Sequence, residues 1–189
     1  LVRIYSVVGG MPAAVAAYAG TGSLKATEKV KSEILDTFRL DFNKYGDKAD
    51  PRLLRLAFDA IPRLVGKKLI YSHIDAHTRS GDLARAIEQL CLARIIAKVH
   101  NTHANGIPLA AERNDRFFKV MGLDTGLLLT QLQLAPTDIV QAEELNLINR
   151  GAVAEQFVGQ HLYASSPAYR EPELHYWARE ERSASAEVD

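Results

Sequence analysis

The sequence is short of several things, and each shortage removes a class of function. It holds one cysteine, Cys91, in 189 residues, so no disulfide can form within the chain, which suits a reducing compartment. No stretch nears the roughly 18 apolar residues of a membrane helix. The apolar start, Leu1 to Gly10, is short, carries one Arg and lacks a secretory layout. A cytoplasmic protein with no membrane partner is expected. No G-x-x-x-x-G-K-[ST] occurs, and no Lys follows Gly9-Gly10. The chain is therefore not expected to bind and hydrolyse ATP by itself, and no cofactor is expected within it. There is no net charge either: 23 Lys and Arg balance 23 Asp and Glu, so no global field draws in nucleic acid or membrane.

What is present is ordinary for a globular protein, with 47% hydrophobic and 24% charged residues and enough length for one large domain or two small ones. Charge is distributed unevenly. Pro51 to His100 holds nine Lys/Arg against four Asp/Glu, whereas Glu171 to Asp189 holds two against six. The chain starts without Met and stops at Asp189 in an unfinished strand, so an internal piece of a larger protein is expected.

Helical signals dominate the first half. Pro12 opens a short helix that Gly20 should stop. Ser23 caps a long helix to about Tyr45, with Ile34, Leu35, Phe38 and Phe42 in register. Its charges, Lys25 to Lys44, are expected to form a solvated face. Asp50-Pro51 starts the next helix, which Pro62 should kink or shorten. Leu69 to Tyr71 reads as a short strand, Ile74 to His77 as a brief helix behind Ser72, and Thr78 to Gly81 as a turn. Asp82 to Arg94 carries the stripe Leu83, Ala86, Ile87, Leu90 and Cys91. Ile95 to Val99 and Phe117 to Met121 read as strands around a polar loop, His100 to Asn114. This order is that of a winged helix-turn-helix. Helices are then expected over Gly122 to Leu132, Thr137 to Glu144 and from Asn149 or Arg150 to Tyr163. Strands follow at Glu173 to Arg179 and Ala184 to Asp189, around a turn at Glu180 to Ser183. The fold class is α+β and mainly helical.

Three constellations bear on chemistry. A DNA-reading helix needs basic or amide groups facing outward. The Asp82–Arg94 helix offers Asp82, Arg85, Gln89 and Leu92, a mixed face, flanked by Lys67, Lys68, Arg79 and Lys98. Arg79, Arg85 and Lys98 are the DNA-contact candidates, against a structural module that packs between domains. His73 with His77, and His100 with His103, lack a third metal ligand at defined spacing, so solvated or packing histidines are expected. Cys91 lies on an apolar stripe and reads as core rather than nucleophile. Glu155, at the margin of its helix's stripe, and Asp189, at a strand end, are paired carboxylates of the kind a divalent metal needs for phosphodiester hydrolysis.

Several blocks, taken together, resemble a known group. They are Gly9-Gly10-Met11-Pro12, Glu33 to Arg39 with Asp41 to Tyr45, Phe58 to Pro62, Asp124 to Leu128, Gly151 to Val158, Tyr176 to Arg179 and Ala186 to Asp189. They are similar to the C-terminal region of bacterial and archaeal AAA-type ATPases, a family known only as a domain of unknown function. Ala13 departs from it, since members often carry an acid after the Pro. The resemblance implies an upstream ATPase domain, with its ATP and Mg, as a partner. It implies a helical region over 1–48, a winged-helix-like module over 49–132, and the start of a restriction-endonuclease-like α/β domain over 133–189. There Glu155 and Asp189 would be acids of a nuclease-like site able to hold a divalent metal, whose Glu-x-Lys strand would lie beyond Asp189. The expected role is an accessory or regulatory region with nucleic-acid or protein contacts. A truncated nuclease-like domain and a winged-helix DNA-binding regulator are the alternatives.

Overall fold

A computed structural model describes residues 2–46, 48–141, 150–167, 169–170, 172–180 and 185–188. The protein is α+β. Its first element, α1 (Val2–Val8), is a helix that the apolar run alone did not announce. Helix α2 (Pro12–Thr21) begins at its proline as expected, but passes Gly20 and stops where Gly22 turns left-handed. Helix α3 (Leu24–Asp41) is capped by Ser23, whose Oγ accepts the Ala26 N–H at 3.2 Å, and tightens into a 3-10 turn over Phe42–Tyr45. Helix α4 (Pro51–Leu64) starts on Asp50, which accepts the Arg52 N–H at 2.8 Å. Pro62 has no N–H for the Phe58 carbonyl, four residues back. Gln131 supplies a substitute, its Nε2 donating to Phe58 O at 3.4 Å, and the helix ends two residues beyond the proline.

The segment after α4 departs from expectation. The strand foreseen at Leu69 to Tyr71 is reduced to one bridge, Lys68 opposite Lys119. A 3-10 turn at Tyr71–His73 replaces the helix foreseen at Ile74 to His77. Thr78 Oγ1 donates to the Asp75 carboxylate, and such a local side-chain bond competes with helix. Helix α5 (Ser80–Leu92) buries Leu83, Ala86, Ile87 and Leu90 as its stripe requires. Strands β1 (Ile96–Thr102) and β2 (Arg113–Gly122) form a hairpin longer than expected. His100 to Thr102, read as loop, pair with Phe118, Asn114 and Arg113 across a bulge.

Helix α6 (Thr125–Gln131) is capped by Asp124, and α7 (Pro136–Gln141), α8 (Arg150–Ala164), β3 (His175–Glu180) and β4 (Ser185–Val188) follow. The foreseen ends at Glu144, Asn149 and Ala184, the turn residues 181–183, and Asp189 lie outside the described residues. The sheet order is β2-β1-β3-β4. β1 runs antiparallel to β2 and parallel to β3, and β3 and β4 are antiparallel. The main core joins α3, α4, α5, the hairpin and α6. Elements from the expected segments 1–48, 49–132 and 133–189 pack on one another: α1 lies on α6, and β3 extends the sheet of the hairpin.

The α3 charges lie largely on the expected solvated face, with Lys25, Lys29, Glu33 and Asp36 exposed, but one departs from it. Lys31 is 1% exposed. Its Nζ donates to Val7 O at 2.7 Å and Gly126 O at 3.3 Å and pairs with Glu28 at 2.7 Å. Val7 O lies in the last turn of α1, where carbonyls lack helical partners and a cation is favoured. Lys31→Ala would leave two carbonyls without this donor. We expect a loss of about 2–4 kcal/mol, combining buried-acceptor and packing penalties, read as a lower urea midpoint with unchanged far-ultraviolet dichroism before the transition.

Candidate functional site

Residues alternate across a sheet, so the hairpin presents two faces. Lys98 with Val120 and His100 with Phe118 share one, Val99 with Lys119 and Ala97 with Met121 the other. Helix α5 covers the first face, where Lys98 Nζ meets Glu88 at 2.5 Å. Helix α8 covers the second, where Lys119 Nζ meets Glu155 Oε1 at 3.0 Å. A cleft borders each helix.

Two glutamines set α8 in place. Gln156, 1% exposed, takes the Gly122 N–H at 2.7 Å and donates to the Gly122 carbonyl at 2.8 Å, completing the end of an edge strand as a neighbouring strand would. Gln160 accepts the Thr125 N–H at 2.9 Å and donates to the Tyr5 hydroxyl at 3.3 Å. Tyr5, Phe157 and His161 stack beside it. Asp124, also buried, accepts from Gly10 N at 2.6 Å, from Leu127 N at 2.9 Å and from Gln160 Nε2 at 3.4 Å. Only glycine suits position 9: its φ is +78°, and a Cβ there would stand 2.2 Å from Asp124 Oδ1.

The cleft under α8 encloses about 500 Å³. Its lining is apolar, including Val99, Met121, Val158 and Leu162, apart from Lys119, Glu155, Gln156 and His175. The Lys119 side chain is 3% exposed and that of Glu155 26%, and the Lys119 ammonium also lies 5.1 Å from the Tyr176 ring centre. Glu155 therefore reaches a cleft, but its neighbour is an ammonium. Among the described residues no group of three or more His, Cys, Asp or Glu is arranged to hold a metal ion. A divalent ion on Glu155 would have to displace Lys119 or sit beside its charge, so the described donors do not fit a metal.

The second cleft, about 510 Å³, is polar and includes Glu88, Lys98, His100, Arg113, Asp115 and His175. Asp115 accepts from Arg113 Nε at 2.7 Å. The buried His100 Nδ1 has no hydrogen-bond partner and stands 3.8 Å from Asp115. Burial, then the Arg113 charge, lowers the His100 pKa below its ordinary 6.5. Cys91, also on this wall, is pushed up to about 11 by burial, which keeps it an unreactive thiol near neutrality.

Of the DNA-contact candidates, Arg79 precedes α5 and is exposed, Arg85 pairs with Asp82, and Lys98 is held by Glu88. The three do not converge on one pocket. Asp124 and Gln156 stood in the quoted blocks without a role, and Lys119 escaped sequence reasoning altogether. The one available signal was a Lys amid the apolar run Phe117-Phe118-Lys119-Val120-Met121.

The lowered His100 pKa sets a sign. The unfolded chain takes up this proton more readily, so folding is opposed as pH falls below about 6.5. The carboxylates of Asp50 and Asp75, lowered from 3.8, act only in more acid solution. The urea midpoint should therefore drop between pH 7 and pH 5, and His100→Gln should reduce that drop.

In comparisons with known proteins, residues 1–138 match the family described as Domain of unknown function (DUF8612). No curated protein and no solved structure matches the chain. The matched stretch runs from α1 into α7, and includes Lys31, the hairpin and the Asp124 cap. The chain belongs to the DUF8612 family.

Proposed function

We propose that this chain is a non-catalytic accessory module of an AAA-type ATPase, built around a winged helix-turn-helix and working through protein contacts. The order α4, bridge at Lys68, 3-10 turn, α5 and hairpin supports the winged-helix part. The pairing of the outward charges carries the choice of partner. Arg85 is met by Asp82 and Lys98 by Glu88, so two of the three candidate phosphate-binding groups are neutralised within the module. The same side exposes apolar groups, with Leu92 68% exposed at the end of α5. Aliphatic groups suit a protein surface better than phosphates.

Anisotropy with a short DNA duplex tests the choice. At physiological salt we expect binding no tighter than the non-specific range, about 10⁻⁴–10⁻⁶ M, and no change when Arg79, Arg85 and Lys98 are all replaced by Ala. Nanomolar binding that falls steeply by 200 mM salt, and disappears in the triple variant, would make this a DNA reader instead. The ATPase part has its own check. The complete polypeptide should carry a G-x-x-x-x-G-K-[ST] segment ahead of Leu1, and a full-length sequence without one removes that part.

A further inference from the structure

The ion pair between Lys119 and Glu155 is costly where it lies. Taking an ammonium and a carboxylate out of water is offset only in part by their attraction, and an apolar pair of similar volume often serves stability as well or better. The surrounding wall is nevertheless apolar, and it borders a space of about 500 Å³. That size lies within the range of small-molecule sites, which are typically apolar with a few convergent polar groups. The polar groups here differ in role. Gln156 is committed to both backbone atoms of Gly122. Lys119 is almost fully covered, by Glu155 on one side and the Tyr176 ring on another. Glu155 is the more exposed partner, and it lines the cleft.

We propose that the cleft between α8 and the sheet is a binding site for a small, uncharged, mainly apolar molecule carrying one hydrogen-bond donor, which it directs at the Glu155 carboxylate. The ligand is uncharged because Lys119 and Glu155 already balance each other. A further charge would be desolvated against a largely apolar wall. It is mainly apolar because Val99, Met121, Val158 and Leu162 form much of the surface it meets. It carries a donor because an ionised carboxylate only accepts. Val158 and Leu162 lie four residues apart on α8 and are 54% and 50% exposed. A bound molecule would cover this apolar strip. The site is on the opposite sheet face from α5 and is independent of the choice between protein and DNA there.

Indole is a suitable probe, since it is uncharged, apolar and has one N–H. Titrated into the ¹⁵N-labelled chain, it should produce saturable amide shifts at Val120, Met121, Glu155 and Gly159, with Kd on the order of 0.1–1 mM for a ligand of this size. 1-Methylindole, which lacks the donor, should bind roughly tenfold more weakly, the worth of one hydrogen bond. Val158→Trp, made at an exposed position, should fill the cleft and abolish the shifts while the melting temperature stays close to wild type. Ala154→Trp, at another exposed lining position, serves if the first variant does not fold. Absence of saturable shifts at these amides, equal affinity for the two indoles, or shifts that persist in the blocked variant would each overturn the proposal.

Discussion

Much of this fold depends on two buried charges that hold the link between α1 and α2. From one side Lys31 reaches Val7 O at the end of α1 and the Gly126 carbonyl of α6. From the other, Asp124 receives Gly10 N and caps α6. A helix end buried without partners would leave several carbonyls unsatisfied. Here the chain hands one of them to an ammonium, and closes another when Gly9 N donates to Tyr5 O at 2.7 Å. The approach is close enough to exclude a side chain at position 126, where a Cβ would stand 2.7 Å from Val8 O. Gln160 extends the same network to α8.

Polar groups thus position the layers while apolar ones fill them. Gln156 completes the end of β2, Gln131 takes the carbonyl freed by Pro62, and Lys119 ties the sheet to α8. The charged groups of α5 and β1 likewise turn to their neighbours. The surface is left with local ion pairs and isolated aliphatic groups rather than one field of a single sign.

The elements legible in the sequence were those whose causes are local. Ser23 and Asp50 cap the helices they were expected to cap, and the stripe of α5 is buried as its spacing required. The illegible parts have distant causes. The run Val2 to Val8 is too short for a helical pattern to show, with Arg3 and Ser6 its polar positions, and its helical state follows from packing on α6. Lys31 reads as one more surface charge among Glu28, Lys29 and Glu33, because the carbonyls it serves come from residues 7 and 126. The candidate acid Glu155 was found, but its partner Lys119 lies 36 positions earlier, a spacing with no pattern to betray it. Asp189, its expected companion, lies outside the described residues.

Chain connectivity also sets a different entropic cost on each seam of the sheet. The hairpin of β1 and β2 joins seven residue pairs across a connection of about ten residues, 103–112, so its closure entropy is modest. The seam between β1 and β3 joins two among the described residues, His100 with His175 and Asn101 with Tyr176. It must first close a loop of some seventy residues, paying the chain entropy of closure before any contact is made. Helix α8 lies inside that loop, and its Gln156 grips Gly122 at the hairpin's far end. With α8 docked, the loop left for β3 to close is shorter than the full connection. Pairing of β3 with β1 is thereby favoured by the docking of α8.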